Sequence, residues 1–299
     1  MSNTEAPVSV DLETLMAPTA KVEQFMAEFL ANRPFPINLR DAIGYALLGG
    51  GKRLRPLLVI LSCEATGGKV DTCLPAAAAI EMVHAFSLVH DDLPAMDDDD
   101  LRRGRPTLHR HTSEPMAILA GDALLALAFE VLACRLTDAH VLSTICRELS
   151  IAANNMVAGQ VYDTLPQFDE GLSDREKLEV IHEHKTGALL RASCRMGAVC
   201  GGADAAQLDA ITRYADRIGL MFQIVDDLLD VTGCSEEMGK ATGKDLDAGK
   251  LTYPGVLGVD KSRTEVERLR GEALAALEDF GDRANPLRDL CEYMAVRTS

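Results

Sequence analysis

The chain has 299 residues, 47% of them apolar and 25% charged, which is the balance of a protein that buries a core and excludes a disordered chain. Its formal charge of -16 excludes a general nucleic-acid binder, because phosphate backbones reward a basic surface. Eight cysteines without a CxxC pair exclude a metal finger or a dense disulfide framework and predict reduced, mostly buried thiols.

The opening residues MSNTEAPVSVDLETL have neither a basic start nor an apolar run, so a cytoplasmic protein without a secretory signal is expected, with residues 1–11 as a flexible tail. Helical apolar spacing then covers 12–31, 54–66, 74–92, 115–136, 139–162, 174–200, 205–232, 264–280 and 286–297. Strand alternation is nearly absent, so one all-α domain over 1–299 is predicted. Asp71, Ser113, Asp138 and Ser173 stand where side-chain oxygens cap helix starts, and Gly67-Gly68, Gly201-Gly202 and Gly233 stand where helices stop. The most apolar stretch, 116–133, is interrupted by Asp122 and Glu130 and reads as a buried helix, so no membrane span is expected.

Three polar or glycine-rich interruptions break the helices: LLGGGKRLRP at 47–56, DDLPAMDDDDLRRGRPT at 91–107, and 232–254. In DDLLD, Asp226 and Asp230 lie one helical turn apart with Asp227 beside them. In DDLPAMD, Pro94 stops a helix just after Asp91 and Asp92, and Asp97 can fold back from the turn. Both clusters gather acids at the carbonyl end of a helix, where the dipole repels them, so a bound cation would relieve each. Oxygen ligands without cysteine suit Mg²⁺, which keeps waters and shares phosphate oxygens. A solvated helix end is the plainer account of one such cluster alone, but two in apolar settings favour metal.

Cations flank every interruption. Lys52, Arg53 and Arg55 follow three glycines, Arg102 and Arg103 follow the first acidic cluster, and Lys185, Lys240, Lys244 and Lys250 flank the second half. This charge plan admits two phosphorylated substrates, one held through metals and one directly by Lys and Arg.

GGGKRLRP, LVHDDLPAMDDDDLRRGRPT, HKTGALLRA, FQIVDDLLD and GKLTYP resemble, in order and spacing, the trans-prenyl diphosphate synthases, most closely the bacterial farnesyl diphosphate synthases. The resemblance implies an all-α isoprenoid synthase fold, a multi-helix bundle around a deep central cavity, in a homodimer. It implies that Asp91, Asp92, Asp97, Asp226, Asp227 and Asp230 serve about three Mg²⁺ ions. Arg102, Lys185 and Lys240 would hold the allylic diphosphate (dimethylallyl or geranyl), and Lys52, Arg55, His84 and Arg103 isopentenyl diphosphate. The Thr186 hydroxyl, the Lys185 carbonyl and the Gln223 amide would border the allylic cation. Phe86, five residues before Asp91 and about 7.5 Å deeper along the helix, and its neighbour Ser87 are the chain-length positions. An aromatic at Phe86 implies farnesyl diphosphate.

Geranylgeranyl diphosphate synthase is the alternative within the same apparatus. From another class, the pairs Glu81/His84 and Glu179/His182 have the Glu-x-x-His spacing of ferritin-like di-iron bundles, although that account leaves both aspartate clusters without a task.

Overall fold

A computed structural model of the chain describes residues 11–232 and 251–296. The chain starts with α1 (Leu12–Met16), α2 (Thr19–Ala31) and α3 (Ile37–Leu47), followed by α4 (Leu54–Ala65) and the long α5 (Val70–Asp91). A two-stranded hairpin, β1 (Leu101–Arg102) and β2 (Arg105–Pro106), and the short α6 (Leu108–His111) lead to α7 (Glu114–Arg135) and α8 (Ala139–Thr164). Then come α9 (Asp174–His182), a π-helical turn (Glu183–Gly187), α10 (Ala188–Cys200) and α11 (Ala205–Thr232). The rest is α12 (Tyr253–Leu257), α13 (Val259–Ala276), a 3₁₀ segment (Glu278–Ala284) and α14 (Asn285–Val296). The all-α expectation holds.

Several boundaries differ from the sequence expectation for identifiable reasons. Pro18 lacks the N–H that would carry one helix over 12–31, so α1 and α2 are separate. Helix α3 was hidden by Pro36 at its start and Gly44 inside it, yet it buries Ala42, Ile43 and Leu47. Ser113, Asp138 and Ser173 cap as expected, Ser173 in a reciprocal box with Glu176. Asp71 does not: α5 starts earlier, after Lys69, and Asp71 lies in its first turn.

Helix α5 buries residues on every side, from Cys73 to Val89, as a central core helix must. It packs against α7, α4 and α10. By length and composition α5 and α7 are apolar enough to cross a membrane, but α5 spends that character on the core.

The core has two parts, and α4 and α10 serve both. Val59, Ile60 and Cys63 with Leu189, Ala192 and Met196 face the part around α5 and α7. Leu57, Leu58, Leu61 and Ala65 with Leu190, Cys194 and Ala198 face the part around α11, α13 and α14. These helices hold the ends of α5 and α11, where the two aspartate clusters sit.

Candidate active site

Asp91 and Asp92 end α5 and diverge by about 100° around its axis. Asp97 folds back as the spacing suggests, its N–H donating to the Asp91 carbonyl at 2.9 Å. Burial pushes the Asp91 carboxyl up to about 6, the Lys185 cation pulling it back and Asp97 and Asp92 adding repulsion. Asp92 is 3% exposed and takes Arg102 Nε at 2.7 Å and Nη2 at 2.6 Å. Asp92 therefore braces an arginine, while Asp91 and Asp97 repel one another and are the pair a cation would relieve.

The β1–β2 hairpin aims those arginines. Arg103 takes a left-handed φ of 54° and donates to the Gly50 carbonyl of the glycine-rich turn. Arg105 stacks over Tyr45 at 4.1 Å, and Tyr45 stacks on His111 at 3.9 Å, which pins the hairpin to α3. Of the extra acids, Asp98 and Asp100 pair with Arg110, and Asp99 lies 3.8 Å from Arg102.

One cavity is lined by Arg53, Glu81, His84, Asp92, Arg102 and Arg103, among others. Burial pushes His84 well below the usual histidine range, and Arg55, Arg103, Arg102 and Arg53 push it further. His84 is therefore a neutral donor ringed by cations. Burial lowers Arg55 to about 10, and its Nε has no acceptor among the described residues. Burial also lowers Arg103, with Arg53 and Arg102 adding repulsion. So many crowded, desolvated cations fit a polyanion. Lys52 does not line this cavity; it borders an apolar groove with Leu12, Met16, Phe222 and Met294.

Across from Asp91, the π-helical turn interrupts what the sequence presents as one helix over 174–200. It carries Lys185 and Thr186, and Lys185 Nζ donates to Asp163 Oδ2 at 2.6 Å. Helix α8 reaches this turn because Gly159 has no side chain: a Cβ there would lie 2.2 Å from the Lys185 nitrogen. Gln160, one residue on, has both amide atoms buried without protein partners among the described residues.

Helix α11 runs along the other side of the same turn, with Gly219 facing Gly187 and Gln223 one turn further on. Asp226 is exposed. Asp227 accepts from the Tyr253 N–H at 2.8 Å and lies 3.5 Å from His182 Nε2, so it anchors α12 and α9. The Tyr253 hydroxyl donates to Glu179 at 3.3 Å. Asp91 thus feels Lys185 of the turn, while Asp227 contacts His182, the last residue of α9 just before it. Lys240 lies outside the described residues, as do Lys244 and Lys250.

Among the described residues no three His, Cys, Asp or Glu side chains converge to hold a metal alone. That fits Mg²⁺, which needs few carboxylates when a phosphate supplies the remaining oxygens, and the raised Asp91 carboxyl is the group a cation would relieve. The glutamates of the di-iron alternative are engaged elsewhere: Glu81 pairs with Arg53, and Glu179 with Arg175 and Tyr253. Sequence reasoning gave Glu81 and His182 a place only in the di-iron alternative, and gave Tyr253 none. Tyr253 stood within GKLTYP, the one signal that could have drawn attention to it.

An all-α bundle with two acidic clusters and an arginine-lined anion cavity around one central helix end has the isoprenoid synthase fold. The sequence model of the family described as Polyprenyl synthetase matches residues 37–283. Among similar proteins, geranylgeranyl pyrophosphate synthase 11, chloroplastic, of Arabidopsis thaliana is 49% identical over 272 residues, covering 88% of this chain and 75% of that one. The chloroplastic geranylgeranyl pyrophosphate synthase of Catharanthus roseus is 48% identical over 269 residues, covering 88% and 74%. An FPP/GFPP synthase structure from Zymomonas mobilis superposes with a TM-score of 0.83 at 38% identity, covering 96% of this chain and 99% of that one. The geranylgeranyl pyrophosphate synthetase of Pyrococcus horikoshii gives 0.86 at 27% identity, covering 96% and 98%. The chain belongs to the polyprenyl synthetase family, the short-chain trans-prenyl diphosphate synthases.

Proposed function

We propose that this chain joins isopentenyl diphosphate to dimethylallyl, geranyl and farnesyl diphosphates, head to tail, and releases geranylgeranyl diphosphate. The observation that carries the two-substrate scheme is the pair of anion sites on either side of the α5 end. One is the cavity lined by Arg102, Arg103 and neutral His84, with the charge of Arg55 acting on His84 as well. The other lies between Asp91 and Lys185.

In this scheme Lys185 holds the allylic diphosphate, with Asp163 fixing its ammonium. Arg102, braced by Asp92, stands between the two sites. Mg²⁺, bound by Asp91, Asp97 and Asp226, would neutralise the leaving diphosphate. The Thr186 hydroxyl, the Lys185 carbonyl and the Gln223 amide present oxygen dipoles to the allylic cation without a nucleophile to trap it. Arg55, Arg103 and His84 orient isopentenyl diphosphate so that its alkene attacks C1 of the allylic cation. The released diphosphate then takes the proton from the new adduct.

The C20 product departs from the farnesyl expectation. Its support is that relatives 47–49% identical to the chain are named geranylgeranyl synthases. Helix geometry agrees: Ser87, one turn below Asp91 and only about 40° round the helix, is small, whereas Phe86 lies about 140° away. Phe86 packs edge-on against His90 at 4.9 Å, and His90 contacts the Ile118 carbonyl of α7 at 3.2 Å. A second reading, farnesyl diphosphate, keeps the aromatic at Phe86 as the stop.

A homodimer is part of the proposal. It is supported by exposed Ile118 and Leu119 on α7 and Ile151, Val157 and Val161 on α8. A cytoplasmic location is proposed with it.

The test is turnover of the purified chain with Mg²⁺, isopentenyl diphosphate and each allylic starter, with products resolved by chromatography. A C20 product is expected, and a C15 end product would select the second reading. Undiminished turnover after exhaustive chelation would overturn the scheme itself.

A further inference from the structure

The arginine cavity contains a carboxylate, which is an odd guest in a site for an anion. Glu81 is 3% exposed and stands on α5 one turn before His84, lining the same cavity. Its charge acts on both Arg55 and Arg103. Left to itself it would compete with an incoming diphosphate for those two guanidinium groups.

Arg53 holds it. Arg53 is 4% exposed and adopts a left-handed φ of 47° at the head of α4, a conformation that L-residues rarely visit. That turn sends its side chain inward, where all three guanidinium nitrogens are engaged. Nη1 donates to Glu81 Oε1 at 2.6 Å, Nε to Glu23 Oε1 at 3.0 Å and Nη2 to the Leu47 carbonyl at 2.8 Å. Arg55, two residues on, has an Nε without an acceptor among the described residues. Two arginines of one motif thus have opposite tasks.

We propose that Arg53 is a positioning residue for the isopentenyl diphosphate site: it captures Glu81, keeps that carboxylate off Arg55 and Arg103, and so leaves both cations to the diphosphate. This rests on the assignment of the cavity to isopentenyl diphosphate under the proposed function.

The experiment compares full-length wild type with Arg53→Met, Glu81→Gln and the double variant, each substrate being varied in turn and folding checked by thermal unfolding. Arg53→Met is expected to raise the KM for isopentenyl diphosphate about tenfold or more, while the KM for the allylic diphosphate stays within about twofold. Glu81→Gln, which removes the competing charge, lowers the isopentenyl KM about twofold, and adding it to Arg53→Met recovers most of the loss. The proposal is overturned if Glu81→Gln raises that KM tenfold, if both substrates' KM values rise together, or if the double variant is no better than Arg53→Met. Should Arg53→Met fail to fold, Glu81→Gln alone still decides through the direction of its effect. Arg103→Ala separates the two readings. If it raises the allylic KM instead, the cavity was assigned to the wrong substrate; if it raises the isopentenyl KM while Arg53→Met does not, only the role of Arg53 fails.

Discussion

Replacing Asp91 with asparagine should stabilise the metal-free protein while disabling it. Burial moves the Asp91 carboxyl from 3.8 to about 6. Below about pH 4 the group is neutral folded or unfolded and contributes nothing. Between about pH 4 and 6 the unfolded chain has released this proton while the folded state keeps it, so stability falls progressively across that window and levels off above about 6. A shift of about two units, at 1.36 kcal/mol each, sets a ceiling of about 3 kcal/mol on the cost of the buried charge at pH 8. Partial solvent access leaves about 1–2 kcal/mol, a few degrees of Tm in a chain this long. Scanning calorimetry in chelator should find Asp91→Asn melting above wild type at pH 8, with the gap about halved near pH 5 and closed near pH 4. Mg²⁺ with a non-hydrolysable allylic diphosphate should raise the Tm of wild type far more than that of the variant, and turnover should fall at least about a hundredfold. A variant that melts below wild type at pH 8, or a gap that is undiminished near pH 4, would refute the electrostatic account of this carboxylate.

Ser87→Phe should place a bulky ring one turn below Asp91 and shorten the product from C20 to C15, whereas Phe86→Ala should leave the C20 product unchanged, a lengthened product selecting the second reading instead; chromatography of extracted products reads both. A product unchanged by both substitutions would place the floor elsewhere. Gly159→Ala would drive a methyl to within 2.2 Å of the Lys185 nitrogen; since backbone cannot easily yield, about 1–3 kcal/mol of stability and at least about tenfold in kcat should be lost. Asp163→Asn removes the anion that fixes Lys185 at 2.6 Å, so the allylic KM should rise about tenfold while the isopentenyl KM holds. Initial rates with each substrate varied test this directly.

The candidate site was legible wherever one short segment carried its chemistry. The aspartate clusters, the KRLR run and HKTG each declare charge and spacing within a few residues, and the helices around them follow from apolar periodicity. Contacts made across the fold were not legible. Asp227 is held by Tyr253, 26 positions away, and Arg53 by Glu81, 28 positions away. No periodicity announces either. The π-helical turn was invisible for another reason: one extra residue in a helix over 174–200 hardly disturbs an apolar pattern, yet it turns Lys185 and Thr186 toward α8 and α11. Asp92 and Asp227 show where spacing misleads. Within each cluster neighbouring aspartates look equivalent, but helical rotation by about 100° sends Asp92 and Asp227 to structural partners while Asp91 faces Lys185 and Asp226 stays exposed.

That rotation also explains how a chain of formal charge -16 can serve two diphosphates. At the end of α5, Asp91 faces Lys185, where a carboxylate needs a divalent cation before a phosphate can approach. Asp92, one residue on, faces Arg102 and leaves a cavity in which cations outnumber anions. Under the proposed function the same helix end would separate a metal-dependent site from a metal-independent one, and the global charge has little say because each field is set within a few ångströms. The asymmetry has a kinetic consequence: chelation should weaken binding of the allylic diphosphate far more than that of isopentenyl diphosphate. Equal loss of both, measured by calorimetric titration, would mean that the two sites share their metals and that the division at Asp91 and Asp92 does not govern binding.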